Sequence, residues 1–131
     1  MNLDIFKSEL TVVILCGGKG LRLRPITKNI PKPLVKINNK SILEYIIQYF
    51  LKFKIKNFII ATGYKNKLID KFIVDKFNNK NIKIFYTGLD SDIITRLQKS
   101  SKYSKKNFLV SYGDTMVDID LNKYIKFYLK N

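Results

Sequence analysis

The sequence predicts an α/β fold, a Rossmann-like three-layer sandwich with a mainly parallel sheet. Short β-rich runs alternate with amphipathic helical segments in the order β-loop-α-β-α-β-(α)-β-α, a pattern typical of a parallel sheet with helices on both faces. A glycine stands at or just after the end of each strand-like run, as expected where a strand turns into a loop. Of the 131 residues, 46% are hydrophobic, which is enough to build a core around such a sheet.

The first strand and the first long helix are the most clearly marked elements. Thr11–Cys16 is an apolar, β-rich run bounded by a glycine pair, which indicates a buried strand. Residues 17–34 show neither strand nor helix periodicity, and their three prolines predict a loop. Ser41 and Glu44 have the spacing of a capping box at a helix start. The apolar positions of that helix repeat every three to four residues at Ile42, Leu43, Ile46, Ile47, Phe50 and Leu51.

The later elements follow from the same two periodicities. Strands are predicted at residues 57–61, 82–86 and 107–112, and a short helix at 95–102. A second helical face, ended by Asn78-Asn79, consists of Leu68, Ile69, Phe72, Ile73 and Phe77. Asp120 is a candidate cap for a last helix. The predicted inward positions of that helix are Leu121, Tyr124, Ile125 and Tyr128.

The predicted topology also gives a position for the functional site. Open parallel sheets bind ligands at the carboxyl ends of their strands, at the point between the first and fourth strands where the strand order reverses. The segments that leave those two strands are Gly17 onward and Gly113-Asp114. We therefore expect the site where these two segments meet.

Composition excludes several classes of function. The chain has no histidine, which rules out His-based triads, His acid–base catalysis and His-ligated zinc. The single cysteine, Cys16, rules out an internal disulfide and is typical of a reducing compartment, so we expect a cytoplasmic protein. Because the first ten residues carry two acids and no long apolar stretch, we expect neither a secretory signal nor a membrane partner.

The charge balance is strongly basic. The chain has 25 Lys+Arg against 10 Asp+Glu, a net charge of +15, which attracts nucleotides, RNA, anionic lipids or acidic sugars. The lysines are spread over nearly every segment, and this distribution is more typical of a solvated surface than of a binding stripe. A basic nucleic-acid-binding protein is therefore an alternative, but we do not expect nucleic acid to be the partner.

The glycine-rich loop that follows the first strand is the most informative segment. Three glycines within residues 17–20 allow backbone N–H groups to approach phosphate oxygens closely. Six cations and no acid fall within the eighteen positions from Lys19, namely Lys19, Arg22, Arg24, Lys28, Lys32 and Lys36. A Walker A motif is absent, and a dinucleotide fingerprint fails at Leu23 and Pro25. Two interpretations remain: a polyphosphate-binding loop of another kind, or a glycine turn beside solvated lysines.

Two motifs in this region resemble a family signature. Residues 17–25 (GGKGLRLRP) and 30–34 (IPKPL) are similar to the G-G-x-G-T-R-L-x-P and P-K-P-L/M motifs of sugar-phosphate nucleotidylyltransferases. Asp114 stands where that family has a metal-binding aspartate, and the resemblance extends over about residues 11–129. Three further segments look most like the glucose-1-phosphate cytidylyltransferase branch: residues 112–114 with 117–120, Thr87-Gly88, and Arg96-Leu97.

The resemblance implies a fold type and a reaction. The fold would be that of nucleotide-diphospho-sugar transferases, truncated, with residues 1–10 as an N-terminal extension and 11–131 as the N-terminal, nucleotide-binding part of the catalytic domain. The implied reaction transfers a nucleotidyl group from an NTP, with CTP favoured, to a sugar 1-phosphate. It yields an NDP-sugar and pyrophosphate, for surface polysaccharide or glycan precursors. Since a sugar phosphate is already anionic, positioning and electrostatics must supply most of the catalysis.

The resemblance also implies residue roles. Arg22 and Lys32 would be catalytic, with Arg22 and the glycine loop holding the β- and γ-phosphates and Lys32 reaching the α-phosphate region. Asp114 would bind Mg²⁺, the implied cofactor. The implied nucleotide-binding residues are Leu15, Cys16, Gly17, Gly18, Lys19, Gly20, Leu21, Arg22, Lys32, Thr87, Gly88, Arg96 and Gly113. Simpler interpretations are a cap after a strand for Asp114, a surface helix residue for Arg96 and a small packing residue for Cys16.

Three departures from the family pattern keep alternatives open. Leu21 replaces the usual threonine, and Ile94-Thr95 stand where the cytidylyl branch has two glycines. The chain also stops soon after the first metal aspartate, whereas family catalytic domains run considerably further. A catalytically inactive nucleotide-binding or regulatory domain is therefore an alternative. As a protein partner we expect either another copy of the chain or a missing C-terminal half.

Overall fold

The computed structural model describes residues 2–78 and 80–131. The helices and strands of these residues are, in chain order, α1 (Leu3–Glu9), β1 (Thr11–Cys16), β2 (Lys36–Ile37), β3 (Lys40–Ser41), α2 (Ile42–Lys52), β4 (Asn57–Thr62), α3 (Asn66–Phe77), β5 (Asn81–Tyr86), α4 (Ile93–Ser101), β6 (Phe108–Tyr112) and α5 (Leu121–Lys130). The predicted α/β class is confirmed. The predicted helix end at Asn78-Asn79 falls partly on Asn79, which lies outside the described residues.

The central sheet has four parallel strands in the order β5-β4-β1-β6. Thr11 in β1 is level with Asn57 in β4 and with Phe108 in β6. The chain thus steps outward from β1 to β5 and then returns to the other side of β1. The strand order reverses between β1 and β6, as predicted, so the carboxyl ends of these two strands flank the point where parallel sheets bind ligands.

The sheet is covered unequally on its two faces. One face, with Val12 and Ile14 at its centre, forms the main core against α1, α2, α3 and α5. The opposite face, with Val13 and Leu15, packs in the smaller core that includes Leu97 of α4. Because β1 is buried along its whole length, it reads as a continuous apolar run rather than as an alternating one.

Polar side chains cap the starts of α2, α4 and α5. The Ser41 hydroxyl accepts a hydrogen bond from the Glu44 backbone N–H at 3.1 Å, which confirms Ser41 as the predicted N-cap. Asp120 accepts from the two backbone N–H groups of residues 122 and 123, as predicted. Helix α4 begins at Ile93, two residues before the predicted start, because Asp92 accepts from the Thr95 N–H at 2.7 Å and so acts as its cap.

Three predicted inward positions are wrong. Leu68 in α3 is 39% exposed, and Tyr124 and Tyr128 in α5 are 53% and 57% exposed. In α5 only Leu121 and Ile125 are buried, because the helix contacts the sheet along a stripe narrower than the periodicity alone indicates.

The long loop and the N-terminal segment contain elements that periodicity did not predict. Three one-turn 3₁₀ helices interrupt residues 17–34, and β2 and β3 form a small antiparallel hairpin after them. The segment predicted as an N-terminal extension contains α1, and its Phe6 and Leu10 are buried in the main core. No helix among the described residues has the length and apolar character needed to cross a bilayer.

Candidate functional site

A cleft of about 940 Å³ lies at the carboxyl ends of β1 and β6. The glycine loop after β1 forms one side of the cleft, and Tyr112 and Asp114 at the end of β6 form another. The sequence-predicted site residues that line it are Leu15, Cys16, Gly17, Gly18, Gly20, Leu21, Arg22, Lys32, Arg96 and Asp114. The predicted meeting of the two segments is therefore found in the structure.

The glycine loop is held in place by hydrogen bonds to its backbone. Gly20 has a left-handed backbone with φ of 62°, and its carbonyl accepts a 2.7 Å hydrogen bond from the buried Thr27 hydroxyl. The Gly17 carbonyl accepts from the Tyr64 N–H at 3.1 Å, and the Tyr64 hydroxyl donates to the Thr27 carbonyl at 2.6 Å. Gly18 is exposed and has no neighbouring atoms where a Cβ would stand. The loop is thus fixed at both ends and open to the cleft between them.

Three exposed or half-exposed side chains project from this loop. Arg22 is exposed and lines the cleft, and no carboxylate of the described residues is paired with it. Lys19 instead forms an ion pair with Asp90 at 2.9 Å and does not line the cleft. Leu21, 59% exposed, presents an apolar side chain to the cleft. Arg22 is therefore the loop cation best placed to meet an anion in the cleft.

Lys32 and Asp114 form an ion pair across the cleft, with 2.8 Å between Nζ and Oδ2. Lys32 stands between two buried prolines, Pro31 and Pro33. Gly113 allows β6 to approach this segment: a Cβ there would lie 2.5 Å from the Cys16 sulfur and 3.2 Å from Pro33 Cγ. In addition, the Gly113 N–H donates to the Leu15 carbonyl at 2.9 Å. Close packing around Gly113 thus fixes the spacing of the pair.

The pair determines the protonation state of the carboxyl group. Burial by itself would raise the pKa of Asp114, but the Lys32 ammonium and the Thr115 hydroxyl outweigh burial, so this pKa lies below its usual value. The Cys16 thiol has the opposite shift, since its burial, and then the charge of Asp114, raise its pKa. At neutral pH the site therefore contains an ionised carboxylate and a protonated, unreactive thiol.

The donor set fits a metal ion that arrives with a ligand better than a resident one. No group of three or more His, Cys, Asp or Glu side chains capable of enclosing a metal occurs among residues 2–78 and 80–131. Asp114 provides one carboxylate, about one third exposed, at the cleft wall. Mg²⁺ is commonly held by one or two carboxylates together with substrate phosphates and water, so Asp114 fits one position of such a site.

Besides Lys19, three predicted residues do not line the cleft, whereas Arg96 lines it as a buried side chain. Gly113 is buried, and neither it nor Thr87 or Gly88 lines the cleft. Thr87 is 1% exposed, and its hydroxyl donates to the Thr62 carbonyl and accepts from Arg96. Arg96 is 5% exposed, so its interpretation as a surface helix residue is wrong. Nucleotide contact by these four residues stays a prediction.

Sequence reasoning missed part of the cleft wall. The additional lining residues are Leu23, Pro33, Ser91, Asp92, Ile93, Ile94 and Tyr112. The segment before α4 could have been located from its polar pair Ser91-Asp92, a common N-cap pattern ahead of an apolar residue. Tyr112 belongs to the 112–114 segment that resembles the cytidylyltransferase branch, but nothing in the sequence showed that its side chain forms part of the cleft wall.

The topology and the cleft define a class of protein: an α/β domain with a glycine-rich loop that opens into a cleft at the switch point of a parallel sheet. The nucleotidyl transferase family model matches residues 11–131. The chain belongs to this family, which confirms the resemblance drawn from the two loop motifs.

Several curated relatives share this segment. D-glycero-α-D-manno-heptose 1-phosphate guanylyltransferase of Campylobacter jejuni is 40% identical over 87% of this chain and 52% of the relative. Probable glucose-1-phosphate cytidylyltransferase of Bacillus subtilis is 31% identical over 91% of this chain and 56% of the relative. The chain thus spans about half the length of the curated relatives it matches.

Solved structures of nucleotidyltransferases also superpose on this chain, again over about half of their length. HddC from Yersinia pseudotuberculosis, complexed with GMP-PN, superposes with a TM-score of 0.78 at 28% identity, over 91% of this chain and 54% of that one. CTP:phosphocholine cytidylyltransferase LicC from Streptococcus pneumoniae superposes with a TM-score of 0.73 at 27% identity, over 88% of this chain and 50% of that one.

Proposed function

We propose that this protein transfers a nucleotidyl group from an NTP to a sugar 1-phosphate, giving an NDP-sugar and pyrophosphate. One observation carries the proposal: the glycine loop and Arg22 share a cleft with the Lys32–Asp114 pair, at the switch point of the sheet. Membership of the nucleotidyl transferase family and the activities named for the relatives support it. Because the chain spans about half of those relatives, the activity of the whole protein is part of the proposal.

The residues of the cleft suit a reaction between two anions. A phosphate oxygen of the sugar phosphate attacks the α-phosphorus, and the bond from that phosphorus to the β-phosphate oxygen breaks, so its electrons leave with pyrophosphate. The exposed glycine-loop backbone and Arg22 would hold the β- and γ-phosphates, and Lys32 would stabilise charge near the α-phosphate. No group has to act as a nucleophile, which agrees with the buried, protonated Cys16.

Asp114 would hold Mg²⁺ together with the phosphates of the nucleotide, and the bound ion would neutralise charge on the triphosphate. In the structure, the Lys32 ammonium is paired with the Asp114 carboxylate, the group that such an ion would contact. Binding of a metal–nucleotide complex would therefore separate the pair and leave the Lys32 ammonium free to meet a phosphate oxygen. In this proposal the ion pair is the resting arrangement of two groups that have different partners when substrate is bound.

We propose CTP as the favoured nucleotide, on the segments similar to the cytidylyltransferase branch, which include Thr87-Gly88 and Arg96. The 40% identical relative is a guanylyltransferase that acts on a heptose 1-phosphate, which makes GTP the rival. A pyrophosphate-release assay with CTP, GTP, UTP and dTTP, each paired with glucose 1-phosphate and with heptose 1-phosphate, tests this choice. Product formed with GTP alone would overturn the CTP preference and leave the reaction class intact.

A domain that binds nucleotide without transferring it is a second candidate. The supporting observation is Leu21, whose exposed apolar side chain stands in the cleft where the family pattern has a threonine hydroxyl. Titration calorimetry with Mg²⁺ and each NTP, run beside the pyrophosphate assay, separates the two functions. Nucleotide binding with no pyrophosphate release would favour the inactive domain.

We also propose that further polypeptide, equivalent to the second half of the relatives, covers the open side of the sheet. Phe108, Val110 and Tyr112 of β6 are 37%, 46% and 52% exposed, and β6 is the edge strand next to the cleft. Light scattering of the chain alone tests the other proposed partner, a second copy of the chain: a stable dimer would favour a second copy over a second half.

The buried single cysteine is consistent with work in the reducing cytoplasm, which we propose as the location of the protein.

A further inference from the structure

The guanidinium of Arg96 lies at a junction of three strand ends. Its Nη1 donates to the Gly88 carbonyl at 2.7 Å, the Thr87 hydroxyl at 2.9 Å and the Thr62 carbonyl at 3.4 Å. Its Nη2 donates to the Leu89 carbonyl at 3.3 Å. Thr62 is the last residue of β4, and residues 87–89 follow β5 directly. One side chain from α4 thus bonds to the ends of two adjacent strands.

The same guanidinium also contacts the end of the third strand, β1. A Cβ at Gly17 would overlap the guanidinium of Arg96, as would a Cβ at Gly63. The Arg96 side chain therefore lies against bare backbone at both glycines, directly beneath the start of the glycine loop. Close approach of this kind is possible only where no side chain intervenes.

This arginine is buried without a directly paired carboxylate. No carboxylate of the described residues lies within 4.0 Å of its nitrogen atoms. Carbonyl and hydroxyl oxygens accept its hydrogen bonds, and Asp90 and Asp92 act on its charge only from a longer distance. A buried charge is stable only when such acceptors satisfy it. A planar fork with five N–H donors can reach several carbonyls at once, which a lysine ammonium on this backbone could not do in the same geometry.

We propose that Arg96 is a positioning residue that holds the carboxyl ends of β1, β4 and β5 in register and thereby sets the backbone of the glycine loop. The part of the proposal that concerns ligands rests on the proposed nucleotide binding. This positioning role differs from direct contact between Arg96 and the nucleobase, because Arg96 would act on the ligand only through the backbone at Gly17.

Two backbone hydrogen bonds report on this junction. The Tyr64 N–H donates to the Gly17 carbonyl at 3.1 Å and joins the ends of β1 and β4. The Thr87 N–H donates to the Thr62 carbonyl at 2.8 Å and joins the ends of β4 and β5. Amide hydrogen exchange at Tyr64 and Thr87 therefore measures the integrity of the junction, whereas amides in the middle of β1 and β4 measure global unfolding.

The test compares Arg96→Met with wild type and with Lys102→Met, which removes an exposed charge just after α4. We expect exchange at Tyr64 and Thr87 to become about tenfold faster in Arg96→Met, the scale of a lost charged hydrogen bond, and to stay unchanged in Lys102→Met. Thr87→Val, which removes one acceptor of Arg96, should give a smaller change of the same sign and serves if Arg96→Met does not fold. Unchanged exchange, or an equal change at the strand centres, would overturn the proposal.

The effect of Arg96 on ligand binding is measured by titration calorimetry of wild type and Arg96→Met with Mg²⁺·CTP, Mg²⁺·GTP and inorganic tripolyphosphate. We expect Arg96→Met to weaken all three by the same factor, because the loop that holds the phosphates is displaced whatever the base. A loss confined to one nucleotide would mean that Arg96 reads the base, and the positioning role would be wrong. If wild-type protein binds none of the three, the proposed function fails, while the exchange measurements still test the junction.

Discussion

From the Lys32–Asp114 ion pair we predict that removing the Asp114 charge changes nucleotide affinity in opposite directions with and without Mg²⁺. Without metal, an incoming triphosphate must compete with Asp114 for Lys32 and is repelled by the carboxylate. Asp114→Asn removes this competition while keeping the size of the side chain. We therefore expect Asp114→Asn to bind metal-free CTP or GTP more tightly than wild type does, although it removes a residue of the site.

The size of the effect follows from the geometry of the pair. The two charged atoms are 2.8 Å apart, but the side chains are 35% and 32% exposed, so solvent screens much of their attraction. A partly exposed pair of this kind is worth about 1 kcal/mol at most, which corresponds to about a fivefold gain in metal-free affinity. With Mg²⁺ the sign reverses, because the amide cannot replace a carboxylate ligand. We expect the magnesium-dependent gain in affinity to fall at least about tenfold.

Calorimetric titrations in EDTA and in excess Mg²⁺ measure both effects. Asp118→Asn is the matched control, since Asp118 is an exposed carboxylate four residues further along the same loop, and it should leave both titrations unchanged. An unaltered magnesium titration in Asp114→Asn would exclude Asp114 as a metal ligand. Weaker binding in EDTA would refute the competition between carboxylate and phosphate for Lys32.

Three other predictions follow from the same contacts. In an active form of the protein, Lys32→Ala should lower kcat by about 10²–10³, the scale of one charge-stabilising donor, and steady-state turnover at the wild-type level would remove Lys32 from the mechanism. Gly113→Ala should lower the free energy of unfolding by about 1–3 kcal/mol through overpacking against Cys16, whereas Gly18→Ala, where a Cβ meets nothing, should change denaturant midpoints little. Because the pKa of folded Asp114 is lowered, its pair should stabilise the fold fully above the unfolded pKa of about 4. This stabilisation should be lost as pH falls through the pKa of folded Asp114. We therefore expect wild type to melt at a higher temperature than Asp114→Asn at neutral pH only. A difference in melting temperature that persists well below the folded pKa would contradict the pairing.

Local sequence determined the four strands of the central sheet, the N-caps of α2 and α5, and the location of the site. The apolar run of β1 and the N-cap at Ser41 depend on neighbouring residues only, so their periodicity and spacing were sufficient. The alternation of elements fixed the strand order, because right-handed crossovers leave few alternatives. Since that order places the ends of β1 and β6 side by side, the meeting of the glycine loop with Asp114 could be expected before any coordinates.

The tertiary structure decided the contacts that join distant segments. Nothing in the sequence pairs Lys32 with Asp114, because their spacing depends on how closely Gly113 packs against Pro33. The burial of Arg96 was equally invisible, since a lone arginine in a short amphipathic helix is usually solvated. The exposure of Tyr124 depends on how much of α5 meets the sheet. Sequence specifies what each segment prefers locally, whereas burial and ion pairing depend on which other segments arrive beside it.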